Sequence, residues 1–378
     1  MSCNFKKSSD SQADMEKTDA MAANSDEFLL LVGTYTDSGS DDGIYVYRFD
    51  SRIGVSELLS KTKAENPSFL TLSSDEQFVF AVGENGADKS TASSFSLNKN
   101  DGTLAPINTR STGGADPCYI EIDRDNGHLF TANYSGGSIS VLPVDSGGKL
   151  SETEMILKFS GSGTDSVRQK QPHLHSVRFS PDGSFLFAAD LGRDKIYRFN
   201  SIGSVFQGQP TISESSLTEF DTPAGTGPRH FDFHPSGKYF YLLGELSGNV
   251  IAYDYNNGNL TEKQVIASDT VGAKGSGDIH VSPDGRFLYS SNRLEADGIA
   301  IFAIDSENGT LTKVGYQLTA KHPRNFAITP NGKLLLVAAR DENKIQVFSI
   351  DRETGLLENL NNDIEVRKPV CIKFASIR

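Results

Sequence analysis

The chain has 378 residues, with 36 basic against 49 acidic side chains, a net charge of −13, 35 Gly and no Trp. That acidic balance excludes a nucleic-acid binder, which needs a basic face to neutralise phosphates, and no run of apolar residues is long enough to span a membrane. The three cysteines, Cys3, Cys118 and Cys371, cannot form a disulfide framework and fit no zinc spacing.

In chain order, residues 1–27 are Ser, Asp, Lys, Ala and Met with almost no apolar content, which predicts a disordered tail. The segment lacks the apolar core of a signal peptide. Cys3 ahead of this polar tether suits a lipid-anchored envelope protein whose leader has been removed. The other reading is a free thiol on the tail of a cytoplasmic protein.

Residues 28–378 carry an internal repeat, predicting one domain. A glycine in a polar turn recurs at Gly54, Gly102, Gly148, Gly203, Gly258, Gly309 and Gly355, a period of about 50. Short apolar runs share that period, at 67–73, 117–123, 174–180, 228–234, 276–282, 323–329 and 369–375. Most enter a tight turn, Pro-Asp-Gly at 181–183 and 283–285, Pro-Ser-Gly at 235–237 and Pro-Asn-Gly at 330–332. A second strand follows each turn, then a third, and a less regular fourth lies after each periodic glycine. Four antiparallel strands per repeat make one propeller blade, so the pattern predicts an all-β, seven-bladed β-propeller. The last innermost strand, 369–375, has no partner after it, and the first strands, 28–32 and 43–49, have no innermost strand before them. The two ends therefore complete one blade and close the ring.

Aligning the innermost strands by their turns gives a ring at the strand starts: Ser68, Cys118, His175, Arg229, Gly277, Arg324 and Val370. The second strands run back, and their ends give Glu84, Tyr134, Leu191, Glu245, Arg293 and Arg340, with Tyr35 in the closing blade. Blades three to six then bring His173, His175, Asp190, Arg193, Arg229, His230, Glu245, Arg293, Arg324 and Arg340 toward one mouth of the channel. Clustered arginines in an acidic protein suit a small anion, since guanidinium holds carboxylate or phosphate bidentately, and His or Glu beside them supplies acid–base chemistry. Arg229 and Glu245 would also serve as a buried structural pair. His173-x-His175 would suit a metal, but no remaining ligand set accompanies it, so no metal or cofactor is expected. Neither a nucleophile elbow nor a phosphate-binding loop is present.

The ordered motifs resemble a known family. They are Val32-Gly33-Thr34-Tyr35-Thr36, Pro172-His173-Leu174-His175 with Asp190-Leu191-Gly192, Gly227-Pro228-Arg229-His230-Phe231 with Gly244-Glu245, Ser291-Asn292-Arg293 and Pro323-Arg324-Asn325-Phe326, each in its own blade. The chain is similar to the seven-bladed propeller lactonases, the 6-phosphogluconolactonase relatives that include the carboxymuconate-lactonising enzyme. The resemblance spans residues 29–376. It implies hydrolysis of a sugar δ-lactone, 6-phosphoglucono-1,5-lactone first. It also implies a site of His175 or His173 with Arg229, Glu245 and Arg293. His175 or Glu245 would take the water proton, Arg229 and Arg293 would hold the oxyanion, and Arg324 and Arg340 the substrate's anionic group. His230, Asp190, Arg193 and Tyr134 complete the expected substrate contacts. Arg340 departs from the Asn or Gln expected there. The alternatives are a muconate-type cycloisomerase, an unphosphorylated-sugar lactonase, or a non-catalytic propeller binding an anion or a partner. A phosphorylated substrate implies the cytoplasm, and nothing compels oligomerisation.

Overall fold

The computed structural model describes residues 25–36, 42–201 and 212–377. The expected tail, with Cys3, lies outside them up to residue 24, as does the periodic Gly203. Among the described residues the chain forms seven antiparallel sheets, each built around four strands, and no α-helix. Blades one to six begin with Leu70–Leu72, Pro117–Ile122, Leu174–Phe179, Pro228–Phe233, Ser276–Val281 and Pro323–Ile328. The seventh closes the ring as expected: Pro369–Ser376 pairs antiparallel with Glu27–Thr34, which continues into Asp42–Asp50 and Val55–Lys63. The sixth blade differs slightly, because its outer edge is split between Leu357–Asn359 and Ile364–Glu365, both paired to Lys344–Ile350.

The burial of each strand follows from its place in the blade. Second strands such as Tyr239–Gly244 and Leu334–Ala339 are buried at every position, because a neighbouring blade covers each face. Outermost strands such as Val55–Lys63 and Asn259–Ala267 stay largely exposed or half-buried.

The periodic glycines dock one blade onto the one before it. Gly309 has φ +71°, and a Cβ there would lie 2.5 Å from the Tyr239 ring; at Gly148 the same atom would meet Phe78 at 2.4 Å. Tyr241 and Tyr289 donate hydroxyl hydrogen bonds of 2.9 Å to the carbonyls of Gly309 and Gly355. The period of about 50 is thus a packing rule: each turn must be both left-handed and bare. Gly309→Ala is expected to cost about 2–3 kcal/mol, combining overpacking with left-handed strain. Gly183→Ala, whose nearest neighbour would be Arg124 at 3.7 Å, should cost only about 1 kcal/mol. Urea midpoints of the two variants measure the difference, and equal losses would remove the docking role.

Candidate active site

The ring predicted at the strand starts is built by β-bulges. In the innermost strands the pairing skips from Pro117 to Tyr119, Leu174 to Ser176, Pro228 to His230 and Pro323 to Asn325. The unpaired residues are Cys118, His175, Arg229 and Arg324. A bulge frees one residue from the ladder and re-aims its side chain, here into the channel. With Phe69, His230, Asn325 and Val370, these four line a cavity of about 10 Å³, the order of one water molecule.

Above the ring, Glu245 is the hub. Its Oε1 accepts 2.7 Å from Arg168 Nη2, and its Oε2 accepts 2.8 Å from Arg229 Nε and lies 3.3 Å from Arg293 Nη2. His175 Nε2 stands 3.8 Å from the same Oε2. Arg229, Arg293, His175 and Glu245 are all buried. Burial alone would raise the Glu245 carboxyl, but Arg293, Arg229 and Arg168 overcome it and hold the group at about 2. Burial, aided by Arg229, His230 and Arg324, pushes His175 well below its ordinary value, so its imidazole is neutral at pH 7. Burial and the neighbouring Arg229 bring Arg293 down to about 9, against the pull of Glu245. It remains a cation at neutrality.

The rim is aromatic and basic. Tyr134 stacks on His173 at 4.3 Å and meets His175 edge-on at 5.4 Å. His173 Nδ1 lies 2.9 Å from the Tyr134 carbonyl oxygen, which fixes it as the donor nitrogen. Arg324 lies between the Tyr35 ring, 5.5 Å away, and Glu84, at 3.9 Å. Arg340 is held by Asp341 at 2.6 Å and by His322 Nδ1 at 3.2 Å.

The structure therefore brings His173, His175, Tyr134, Arg229, Glu245, Arg293, Arg324 and Arg340 together at one mouth. Two expected contacts lie elsewhere, and a third, His230, lines the small cavity at the ring, its ring 5.2 Å from that of His175, its Nδ1 2.7 Å from Asp278 and its ring edge-on to Tyr119. Asp190 spends both carboxylate oxygens inside the fold, accepting from the backbone of His173 and Gly192 and from the Tyr197 hydroxyl. Arg193 turns outward to Tyr197 and Glu219. Asp190 and Arg193 support the mouth instead of lining it.

Two site residues escape the sequence reading, Arg168 and His322. Both come from inter-blade connections. Buried His322 bridges Arg293, 3.3 Å from its Nε2, and Arg340. Burial and those two guanidiniums bring it down to about 3. One signal was available for it: Asp116, Gly227, His322 and Lys368 each stand directly before the proline that opens an innermost strand, and in the structure each has a positive φ.

Among the described residues, no group of three or more His, Cys, Asp or Glu is gathered to hold a metal, and no helix is long and apolar enough to cross a membrane.

Comparison with known proteins adds three findings. The family described as "Lactonase, 7-bladed beta-propeller" matches residues 29–374. A 6-phosphogluconolactonase of Formosa agariphila is 38% identical, over 89% of this chain and 96% of its own. Among solved structures, a candidate 6-phosphogluconolactonase of Bacteroides fragilis is 50% identical, with a TM-score of 0.89 over 93% of this chain and 98% of that one. The periplasmic gluconolactonase of Pseudomonas aeruginosa is 34% identical, with a TM-score of 0.85 over 93% of this chain and all of that one.

Proposed function

The chain belongs to the seven-bladed β-propeller lactonases, and from that premise we propose that it hydrolyses 6-phosphoglucono-1,5-lactone to 6-phosphogluconate. The observation that carries this reading is the hub itself. Glu245 holds three guanidiniums and stands 3.8 Å from a neutral histidine at one channel mouth.

Hydrolysis needs a water to attack the lactone carbonyl, and charge develops on the carbonyl oxygen as the C–O double bond opens. Arg229 and Arg293 are cationic and rigidly held by Glu245, Gly277, Gly275, Ser276 and His322, and Arg229 Nη2, with no hydrogen-bond partner among the described residues, is suited to receive that oxyanion while Arg293 adds its charge. His175 takes the proton of the attacking water. The ring C–O bond then breaks, and the imidazolium returns the proton to the departing ring oxygen, which becomes the new hydroxyl. The depressed basicity of His175 reflects the surrounding positive charge. The oxyanion supplies a compensating negative charge and raises that basicity when the proton has to move. Glu245, held at about 2, is a poor base and acts by fixing the guanidiniums.

The test is hydrolysis of freshly generated 6-phosphogluconolactone, with the spontaneous rate subtracted. His175→Gln is expected to lower kcat by about 10²-fold with little change in KM. Unaltered kcat would reject His175 as the base.

The Pseudomonas relative favours a second reading, an unphosphorylated gluconolactone as substrate, and the same assay with that lactone separates the two. The phosphorylated reading places the chain in the cytoplasm, and the unphosphorylated one in the cell envelope. Fractionation and the mass of native Cys3 distinguish them.

A further inference from the structure

Arg168 belongs to no strand and no repeat, yet it reaches the hub. It stands on the connection between Met155–Lys158 and Leu174–Phe179. That connection is stiff. The buried Gln169 amide donates 2.8 Å bonds to the Leu191 carbonyl and to Asp194, and accepts 2.8 Å from the Asp165 backbone. Asp165 in turn accepts from the backbone N–H groups of Val167 and Arg168. The loop's fixed shape delivers the guanidinium.

Three features set Arg168 apart from the other arginines of the mouth. First, its side chain is 38% exposed, against 1% for Arg229 and 6% for Arg293, so of the three on Glu245 it is the one on the rim. Second, both of its hydrogen bonds, to Glu245 at 2.7 Å and Tyr134 Oη at 3.2 Å, leave from Nη2. The N–H groups on Nε and Nη1 have no protein partner among the described residues. Third, one carboxylate faces three guanidiniums, leaving the hub with an excess of two positive charges.

A phosphate monoester carries close to two negative charges at neutral pH and offers several acceptor oxygens. On the mechanism proposed above the buried pair, Arg229 and Arg293, meets the reacting carbonyl, so the rim guanidinium is left for the far end of the substrate. The other two candidates for that end are already engaged. Arg340 is neutralised by Asp341. Arg324 lies deeper, 15% exposed, against Glu84 and Tyr35.

We propose that Arg168 binds the phosphate group of the substrate and so sets the preference for phosphorylated over unphosphorylated lactone. This rests on the lactonase reading above. It replaces the sequence-based expectation that Arg324 and Arg340 fill that role.

The experiment compares kcat/KM for 6-phosphogluconolactone and for unphosphorylated gluconolactone in the wild type, Arg168→Gln and Arg168→Lys. Thermal melts check that the variants are folded. The Gln variant is expected to reduce the ratio of the two kcat/KM values by about 10- to 100-fold, mainly through KM, the usual worth of a charge-assisted hydrogen-bond pair. The Lys variant keeps the charge but loses the fork and should fall between. An unchanged ratio overturns the proposal, including the case where both substrates lose equally, which would mean that Arg168 merely braces Glu245. A second readout is independent of turnover: calorimetric binding of 6-phosphogluconate against gluconate. Failure of the wild type to hydrolyse either lactone would overturn the lactonase reading. A discrimination between the two acids that survives in Arg168→Gln would overturn the role of Arg168.

Discussion

Glu245→Gln is expected to lower kcat by about 10²–10³-fold and to cost about 3 kcal/mol of folding stability. The two losses share a cause. Glu245 is buried, and its charge is what lets Arg229 and Arg293 remain buried as cations. A neutral amide keeps the shape but leaves three guanidiniums facing one another with no counter-charge. They would then splay or draw in solvent anions, and the donors for the oxyanion would leave their positions. Turnover of fresh lactone and urea denaturation of the same variant measure the two effects separately. Full turnover in the Gln variant would show that packing, and not the carboxylate charge, holds the arginines. Glu245→Asp is a useful companion, since its shorter side chain keeps the charge but cannot span all three partners.

A second large effect is expected in the pH dependence of stability. His230 is brought down to about 4 and His322 to about 3 by burial and neighbouring arginines, and His175 is pushed well below its ordinary value. Each is neutral when folded and free to charge when unfolded. The unfolded state therefore binds more protons below about pH 6.5, and stability falls as the pH falls. Each histidine contributes a slope of about 1.4 kcal/mol per pH unit until its folded value is reached. The three together approach about 4 kcal/mol per unit near pH 5, set against a total stability of about 5–15 kcal/mol for a typical fold. His128 shifts the other way, raised by Asp123 and Glu154 against the larger effect of burial, and so acts only above this window. Glu245 and Asp278 are held below their ordinary values and add their losses at lower pH. Asp190 and Glu121, raised by burial, bind protons in the folded state and offset part of this uptake, so proton uptake on thermal unfolding at pH 5, measured in buffers of different ionisation enthalpy, should lie between about one and three. Uptake below one proton would mean that these imidazoles are charged in the folded state.

The fold was legible in the sequence because its period has a steric cause. Four of the periodic glycines press on the first residue of the second strand in the preceding blade, Gly148 on Phe78, Gly258 on Phe185, Gly309 on Tyr239 and Gly355 on Phe287. No larger residue fits, so the spacing survives in the chain as a visible mark. The ring of Cys118, His175, Arg229 and Arg324 was legible for a related reason: each stands at a fixed offset from its turn.

Arg168 was not legible, because inter-blade connections differ in length and give no register to count from, whereas His322 holds a place, directly before a strand-opening proline, that recurs from blade to blade. Asp190 and Arg193 turn away from the mouth for a different reason. Position along a strand fixes height in the channel, but the bulges and the sharp Asp190–Arg193 turn decide which way a side chain points. A backbone hydrogen bond such as His173 N to Asp190 is invisible in residue identities.

The antiparallel pairing of Pro369–Ser376 with Glu27–Thr34 sets the order in which the molecule can be made. Residues more than 300 positions apart must meet, as Leu30 meets Phe374, so the first outer strands have no inner partner until the ribosome has released nearly the whole chain. Contacts of such separation are slow to form, since the loop must close before the pairing is rewarded. Until then the Glu27–Thr34 edge is open to wrong partners on other chains. Refolding from denaturant should accordingly end in a slow phase that carries the seventh blade, and aggregation should compete with that phase alone.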